Sequence, residues 1–472
     1  PPWERIKLQE KEFFADKGRE IANARTAAER RKLIRRLPQT NPALHTAYTA
    51  ALRESETTSH FLRDSGRFPL TSGGDINTYA VFAGLARQII APAGRSGIVV
   101  PTGIATDYTY QEFFADVMKS GQLVSLYDFE NREGLFPGRH RSFKFCLFIL
   151  AGDGVPEAEF AFFLRTTGDL ADPDRRFTLS WKDITLLNPN TRTCPVFRTG
   201  RDAELTHRLY RSAPVLHNEQ SGENPWGISF LRMFDMTNDS RLFHTQKGLK
   251  ANGSVMEGNR FVGQDEVYLP LYEAKMMEQY DHRFAGVIHH AQRVRTGEPE
   301  QTTAEQHSEP RYSPKFRYWV NRRDVVGVVG PETDNTGFMG YKDITTASSE
   351  RTFKVCFLPY TAVSNSAPII RRSTISSTAW ALCLLGNLNS FVVDYVARQK
   401  VGYLHINFFT LKQFPVLPPR TYTPELFAFV VPRALELTYT AWDLQSFAQD
   451  VLDEVGPETW ALWFADAPVH TS

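Results

Sequence analysis

GRSGIVVPTGIATDYTYQEFFADVMKSGQLVSLYDFENREGLFPGRHRSFKFCLFIL, residues Gly94–Leu150, is the stretch whose reading decides the fold. Ile98, Val99 and Val100 form a short apolar run between glycine and Pro101. A run bounded by breakers in this way reads as a buried strand of a covered sheet. Phe113, Phe114, Val117 and Met118 follow at helical spacing and Gly121 stops them. LVSLYDFEN is a second strand, and LFPGRHRSFKFCLFIL is a basic turn running into a third. Strand, helix, strand, turn, strand is the closing half of an α/β sheet with an antiparallel edge.

Working outward, the chain opens Pro1-Pro2-Trp3 without an initiator methionine, as though cut from something longer. Residues 4–62 read as long polar helices, with RRKLIRR (Arg30–Arg36) as a solvated face. DINTYAVFAGLARQI (Asp75–Ile89) leads a helix into the first strand. AGDG (Ala151–Gly154) follows a strand, but Pro156 and acidic residues come next where a phosphate loop would open a helix, so it is a turn. NPWGISF (Asn224–Phe230) reads as a turn before a strand, and Asp202 to about Arg211 as a helix. Segment 292–314 is polar and contains proline, the composition of an exposed linker or disordered insertion.

Composition narrows the class. The 472 residues suffice for two or three domains, and 42% hydrophobic content with a net charge of +1 describes a globular chain. The four cysteines, Cys146, Cys194, Cys356 and Cys383, are widely spread with no CxxC pair, which argues against a zinc or disulfide framework and fits a reducing cytoplasm. The twelve histidines show no ligand spacing, so no metal site is expected. No apolar run reaches membrane-spanning length, and no membrane partner is expected. Residues 311–420 carry 14 Lys/Arg against 6 Asp/Glu, whereas 421–472 carry 1 against 8. Such asymmetry suits one region that meets a polyanion, although surface charge also fluctuates by segment.

The motifs resemble the gamma-class amino-methyltransferases that methylate adenine N6 in DNA, in particular the large bacterial restriction-modification and phage-defence enzymes. Pro1, Pro2 and Trp3 match the last three positions of that family's Asn-Pro-Pro-aromatic motif, with the Asn falling just upstream. Asp75–Ile89, Gly94–Asp107 and Leu126–Leu150 match its later motifs in order. The resemblance implies the later half of a Rossmann-like methyltransferase sheet, then an α+β target-recognition domain and a helical tail. The implied domains are 1–155 for the catalytic part, 156–310 for a connector, 311–420 for target recognition, and 421–472 for an acidic helical segment. KDITTASSERTFKVCFLP (Lys342–Pro359) and Asn387–Pro419 carry the recognition-domain likeness.

By the same resemblance the methyl donor is S-adenosylmethionine, whose main binding loop lies upstream of this chain. The chain alone is therefore expected to bind it negligibly and to transfer no methyl group. The implied partners are double-stranded DNA and other subunits of a restriction or defence system. Pro1, Pro2 and Trp3 take the catalytic positions, and Trp3 with Phe136 holds the target base; the alternative for Phe136 is a core aromatic at a turn. Arg139, Arg141 and Lys144 lie where backbone phosphates would pass, and Arg398, Lys400 and Lys412 are phosphate candidates or else solvated surface charges. Two other functions stand beside this one. Asp265, Glu273 and Lys275 match the acid, acid and lysine of a magnesium-dependent nuclease. A non-enzymatic specificity subunit would explain the basic region but not Pro1-Pro2-Trp3.

Overall fold

In the computed structural model, residues 1–288, 297–332, 336–347, 349–372, 377–401 and 404–465 are described. They fall into two compact units, Pro1–Arg208 and Leu209–Ser472.

The first unit opens with α1 (Glu10–Phe14), α2 (Arg19–Ala22), α3 (Ala27–Thr40) and α4 (Pro42–Asp64). Asn41 ends α3 and starts α4, its side chain accepting from the Leu44 N–H, with Pro42 at the first helical position. Phe14, Ile21, Leu37 and Tyr48 close a small core among these helices. Then come α5 (Thr78–Ile89), β1 (Arg95–Val100), α6 (Gly103–Thr106), α7 (Gln111–Lys119), β2 (Leu123–Glu130), β3 (Lys144–Ala151), β4 (Ala158–Leu164), β5 (Phe177–Leu179), α8 (Trp181–Leu187) and α9 (Gly200–Ser212). On α7, Phe113, Phe114, Val117 and Met118 are all buried. Each such side chain removed from water stabilises the fold by about 1.5–3 kcal/mol before entropy is counted. Gly121 ends the helix at a φ of +70°, where a Cβ would meet the Val155 carbonyl at 2.7 Å.

The sheet order is β1-β3-β2-β4-β5. β3 is antiparallel to both β1 and β2, from Val100↔Cys146 on one side and Glu130↔Lys144 on the other. The third strand is thus inserted between its predecessors and is not the expected antiparallel edge. β2 pairs parallel with β4, which pairs antiparallel with β5. The expected boundary at 155 therefore falls inside this sheet.

The second unit contains β6 (Ile228–Leu231), α10 (Gln246–Ala251), β7 (Val255–Glu257), β8 (Arg260–Val262), β9 (Val267–Tyr272), β10 (Ala285–Ile288), β11 (Glu298–Gln301), α11 (Ala304–Ser308), β12 (Trp319–Asn321) and α12 (Arg322–Val329). It continues with β13 (Gly337–Tyr341), β14 (Val355–Pro359), β15 (Ala362–Val363), β16 (Ile369–Arg372), α13 (Thr378–Leu388), α14 (Phe391–Lys400), α15 (Phe408–Leu411), α16 (Pro424–Thr438), α17 (Gln445–Val455) and α18 (Pro457–Trp463). One sheet runs β12-β9-β8-β7 with β15 beside β9; another runs β14-β13-β16-β6; β10 and β11 form a hairpin. Asn224 builds the turn ahead of β6, its side chain bonding both the N–H and the carbonyl of Ile228.

The expected blocks 156–310, 311–420 and 421–472 are interleaved. β12 pairs with β9 across the 310 boundary, and β16 with β6. Beyond 421, Phe447 stacks on Phe357 at 3.9 Å, and the Glu454 carboxylate accepts the first N–H groups of α13. The linker expected at 292–314 is built structure from 297 onward, while 292–296 lie outside the described residues. Thr303 and Gln306 cap α11 reciprocally. The fully buried Arg283 donates to the carbonyls of His307, Glu309 and Tyr312, and to Thr440 in the tail. Among the described residues, no single helix is long and apolar enough to cross a membrane.

Candidate functional site

Residues 1–6 are extended and fastened along 76–78. The Thr78 hydroxyl donates to the Pro2 carbonyl at 2.8 Å and accepts the Glu4 N–H at 2.9 Å, while Ile6 N–H reaches the Ile76 carbonyl. These bonds fix the direction of the Pro2–Trp3 peptide, which follows two conformationally restricted proline rings. Trp3 lies flat on Phe143, with centroids 5.7 Å apart and 10° between planes, and its indole N–H donates to the Val99 carbonyl near the end of β1. Trp3 also packs against a cluster holding Phe129, Phe145, Ala161 and Leu164. Phe136 meets Phe145 edge-on at 4.9 Å and is 44% exposed. Trp3 and Phe136 therefore converge on one aromatic cluster at the carboxyl ends of β1 and β2, with Phe136 open to solvent as a core aromatic would not be.

The loop bearing Phe136 is held by Asn131, which is buried at the end of β2. Its side-chain oxygen accepts the Phe136 N–H at 2.8 Å, and its amide donates to the carbonyls of Phe136 and Arg139. Arg139 and Arg141 stand exposed on this loop, Arg141 donating to the Arg132 carbonyl. Lys144, opposite Glu130 across the ladder, lies 3.7 Å from its carboxylate.

On β2 itself, two residues before its end, Asp128 is buried. It accepts the Thr102 hydroxyl and the backbone N–H of Phe163, the latter at 3.1 Å. Burial pushes its carboxyl up, against the lowering pull of the Thr102 hydroxyl, the Lys144 charge and the Phe163 N–H. The β2–β4 register runs Tyr127↔Ala161 and then Phe129↔Leu164, so β4 carries one extra residue opposite Asp128. Phe163 adopts a φ of +59° there, an unusual conformation for a bulky side chain. Lys144 and Arg198 both approach its ring, at 4.9 and 4.4 Å from the centroid. Phe163 lines a cavity of about 620 Å³ with Glu133, Arg165, Arg175 and Arg198. Asn131, Asp128 and Thr78 are site positions that the motifs alone do not single out; their signal is a polar residue at or near the end of an apolar strand or the start of a helix.

In the second unit the solvated-surface alternative for the three phosphate candidates is corrected. Arg398 donates to the carbonyls of Ala347 and Glu350 and pairs with Asp394 at 3.2 Å, which ties α14 to the preceding loop. The Lys400 ammonium sits 5.0 Å from the Tyr210 ring centroid, and burial pushes its pKa down to about 7. Lys412 pairs with Glu219 at 2.5 Å. Each charge is thus engaged within the fold and none is a simply solvated surface charge.

The nuclease arrangement is also corrected. Asp265 is exposed in the turn before β9, whereas Glu273 and Lys275 follow the far end of that strand. A strand of this length holds the two carboxylates roughly 20 Å apart or more. Glu273 is buried against Arg317 at 3.0 Å and Lys275 at 3.3 Å, an internal ion pair facing no open metal site. Among the described residues, no group of three His, Cys, Asp or Glu side chains is placed to hold a metal ion.

No protein-family model matches the chain, and no curated protein matches it. Two solved structures align loosely. The type IIG restriction endonuclease BpuSI aligns at a TM-score of 0.29 and 11% identity over 88% of this chain and 53% of its own. The type IIL restriction-modification enzyme MmeI, solved in complex with DNA, aligns at 0.39 and 11% identity over 87% and 54%. The chain spans about half the length of each.

Proposed function

We propose that this chain is the later part of the catalytic domain of an S-adenosylmethionine-dependent DNA adenine-N6 methyltransferase of a restriction-modification or defence system, with its target-recognition region. The observation that supports this most is the convergence of Trp3 and Phe136 on the Phe145 cluster beside a fastened Pro1-Pro2 segment. Ligands of open α/β sheets bind outside the carboxyl ends of the strands, where both aromatics stand.

The adenine amino nitrogen is a poor nucleophile, because its lone pair is delocalised into the ring. Carbonyl and amide oxygens that accept its two hydrogens draw that lone pair out of the ring, and a rigid Pro-Pro segment presents such an acceptor without reorganisation. S-adenosylmethionine, when bound, supplies the electrophilic methyl group. Trp3 and Phe136 offer apolar faces to a base that has left the duplex. Arg139 and Arg141 extend from the same loop toward the flanking backbone, and the basic surplus of 311–420 supports DNA recognition by the second unit.

Methyl transfer from labelled S-adenosylmethionine to duplex DNA by the intact protein containing this chain tests the reading. N6-methyladenine in the digested product is expected; 5-methylcytosine, or no labelled base at all, would overturn it.

A further inference from the structure

The cavity beside Phe163 holds four arginines, two of them already neutralised. Arg132 pairs with Glu130 at 3.0 Å, and Arg175 lies 3.6 Å from both Asp169 and Asp172. Arg165 and Arg198, both exposed, make no ion pair among the described residues. Against them stands one carboxylate similarly free of an ion pair, Glu133. Lys144, itself paired with Glu130, approaches the Phe163 ring beside Arg198.

The backbone itself is bent to make this arrangement. The extra residue in β4, held through its N–H by Asp128, turns the Phe163 ring toward the cavity at a cost of order 1–3 kcal/mol in backbone strain. A guanidinium stacked on an aromatic face is fixed in plane while its N–H edge stays open, the geometry that grips a phosphate with two parallel bonds. The mouth lies at the carboxyl ends of the parallel pair β2 and β4.

We propose that this cavity is a phosphate site, with Arg198 and Arg165 as its anion ligands and Phe163 as the platform that orients Arg198. Its occupant is the phosphodiester of a polynucleotide strand, a source that rests on the methyltransferase reading; the same phosphate on a free nucleotide is the other source. The site itself does not depend on that reading.

The test titrates the full chain with a short fluorescent DNA duplex over a range of salt, and separately with adenosine monophosphate. Wild type, Arg198→Gln, Arg165→Gln and Arg198→Lys are compared after circular dichroism confirms that each is folded. Each Gln variant should bind the duplex more weakly and lose about one unit of the slope of log affinity against log salt, while Arg198→Lys keeps most of the slope. Monophosphate binding abolished in both Gln variants, with duplex binding untouched, would give the same ligands to a free nucleotide. Unchanged affinity and slope for both probes in both Gln variants overturns the site. A lost slope in this chain, together with no methyl transfer by the intact protein containing it, would sink the methyltransferase reading and leave the site standing.

Discussion

The Asp128 carboxylate accepts the backbone N–H of Phe163 at 3.1 Å, at the one point where β4 carries a residue more than its partner β2. Its other oxygen takes the Thr102 hydroxyl. Asp128→Ala leaves two donors without their acceptor, so it should destabilise the first unit by about 1–3 kcal/mol. Asp128→Asn should recover much of the loss, because its oxygen can still accept the Phe163 N–H while its NH2 donates to the Thr102 hydroxyl, which also accepts. Urea unfolding checks both, and an Ala variant as stable as the parent would mean that the bulge holds itself.

Asn131 does for the Phe136 loop what Asp128 does for the bulge. Asn131→Ala removes three hydrogen bonds from a buried position. Stability should fall by roughly 1–3 kcal/mol, and the Phe136 amide should exchange with solvent far faster. Unaltered exchange at Phe136 would show that the loop is held by its ring contacts alone.

Lys400 gives a pH dependence whose sign is fixed. Burial lowers its folded-state pKa to about 7, below the value of about 10.4 for an unfolded lysine. Between those values the unfolded chain binds the extra proton, so stability rises with pH across that window and levels off above it. Lys400→Met should flatten the rise while keeping the packing on Tyr210. Denaturation midpoints measured from neutral to alkaline pH decide the matter, and a rise of equal size in both proteins would place the ammonium in water.

Glu273 and Asp265 should behave as unrelated residues. Glu273→Ala removes the buried carboxylate paired with the buried Arg317 guanidinium and should cost about 3–5 kcal/mol. Asp265→Ala, on an exposed turn, should stay within about 0.5 kcal/mol. Magnesium-dependent DNA cleavage lost equally in both variants, with Asp265→Ala still folded, would restore the nuclease reading.

Local pattern made part of this structure legible. Breakers around Ile98–Val100 and helical spacing through Phe113–Met118 mark elements that form where expected. The insertion of β3 between β1 and β2 is a matter of pairing, which no local pattern encodes. Nor does EFAFFL announce its bulge: an almost uniformly apolar run has no alternation for an extra residue to interrupt. The internal partners of Arg398 and Lys412 are hidden from local pattern for a related reason. A charge count over 311–420 sees Lys412 but not Glu219, which lies 193 residues earlier in the chain. Arg398 likewise bonds carbonyls some fifty residues back, and a carbonyl carries no charge to count. Trp3 and Phe136 reach one cluster through β3, whose first residues connect two distant segments.

The central claim is that those two rings form a pocket for an extrahelical adenine, and a duplex carrying 2-aminopurine at the target position measures it directly. Stacking on one aromatic is worth roughly 1–3 kcal/mol per base, comparable with the few kcal/mol that flipping costs. The intact protein should therefore brighten the probe. Trp3→Ala and Phe136→Ala should each brighten it much less and methylate slowly with nearly unchanged cofactor affinity, and Trp3→Phe should be mild. Folded alanine variants that brighten the probe and methylate as the parent does would contradict the account.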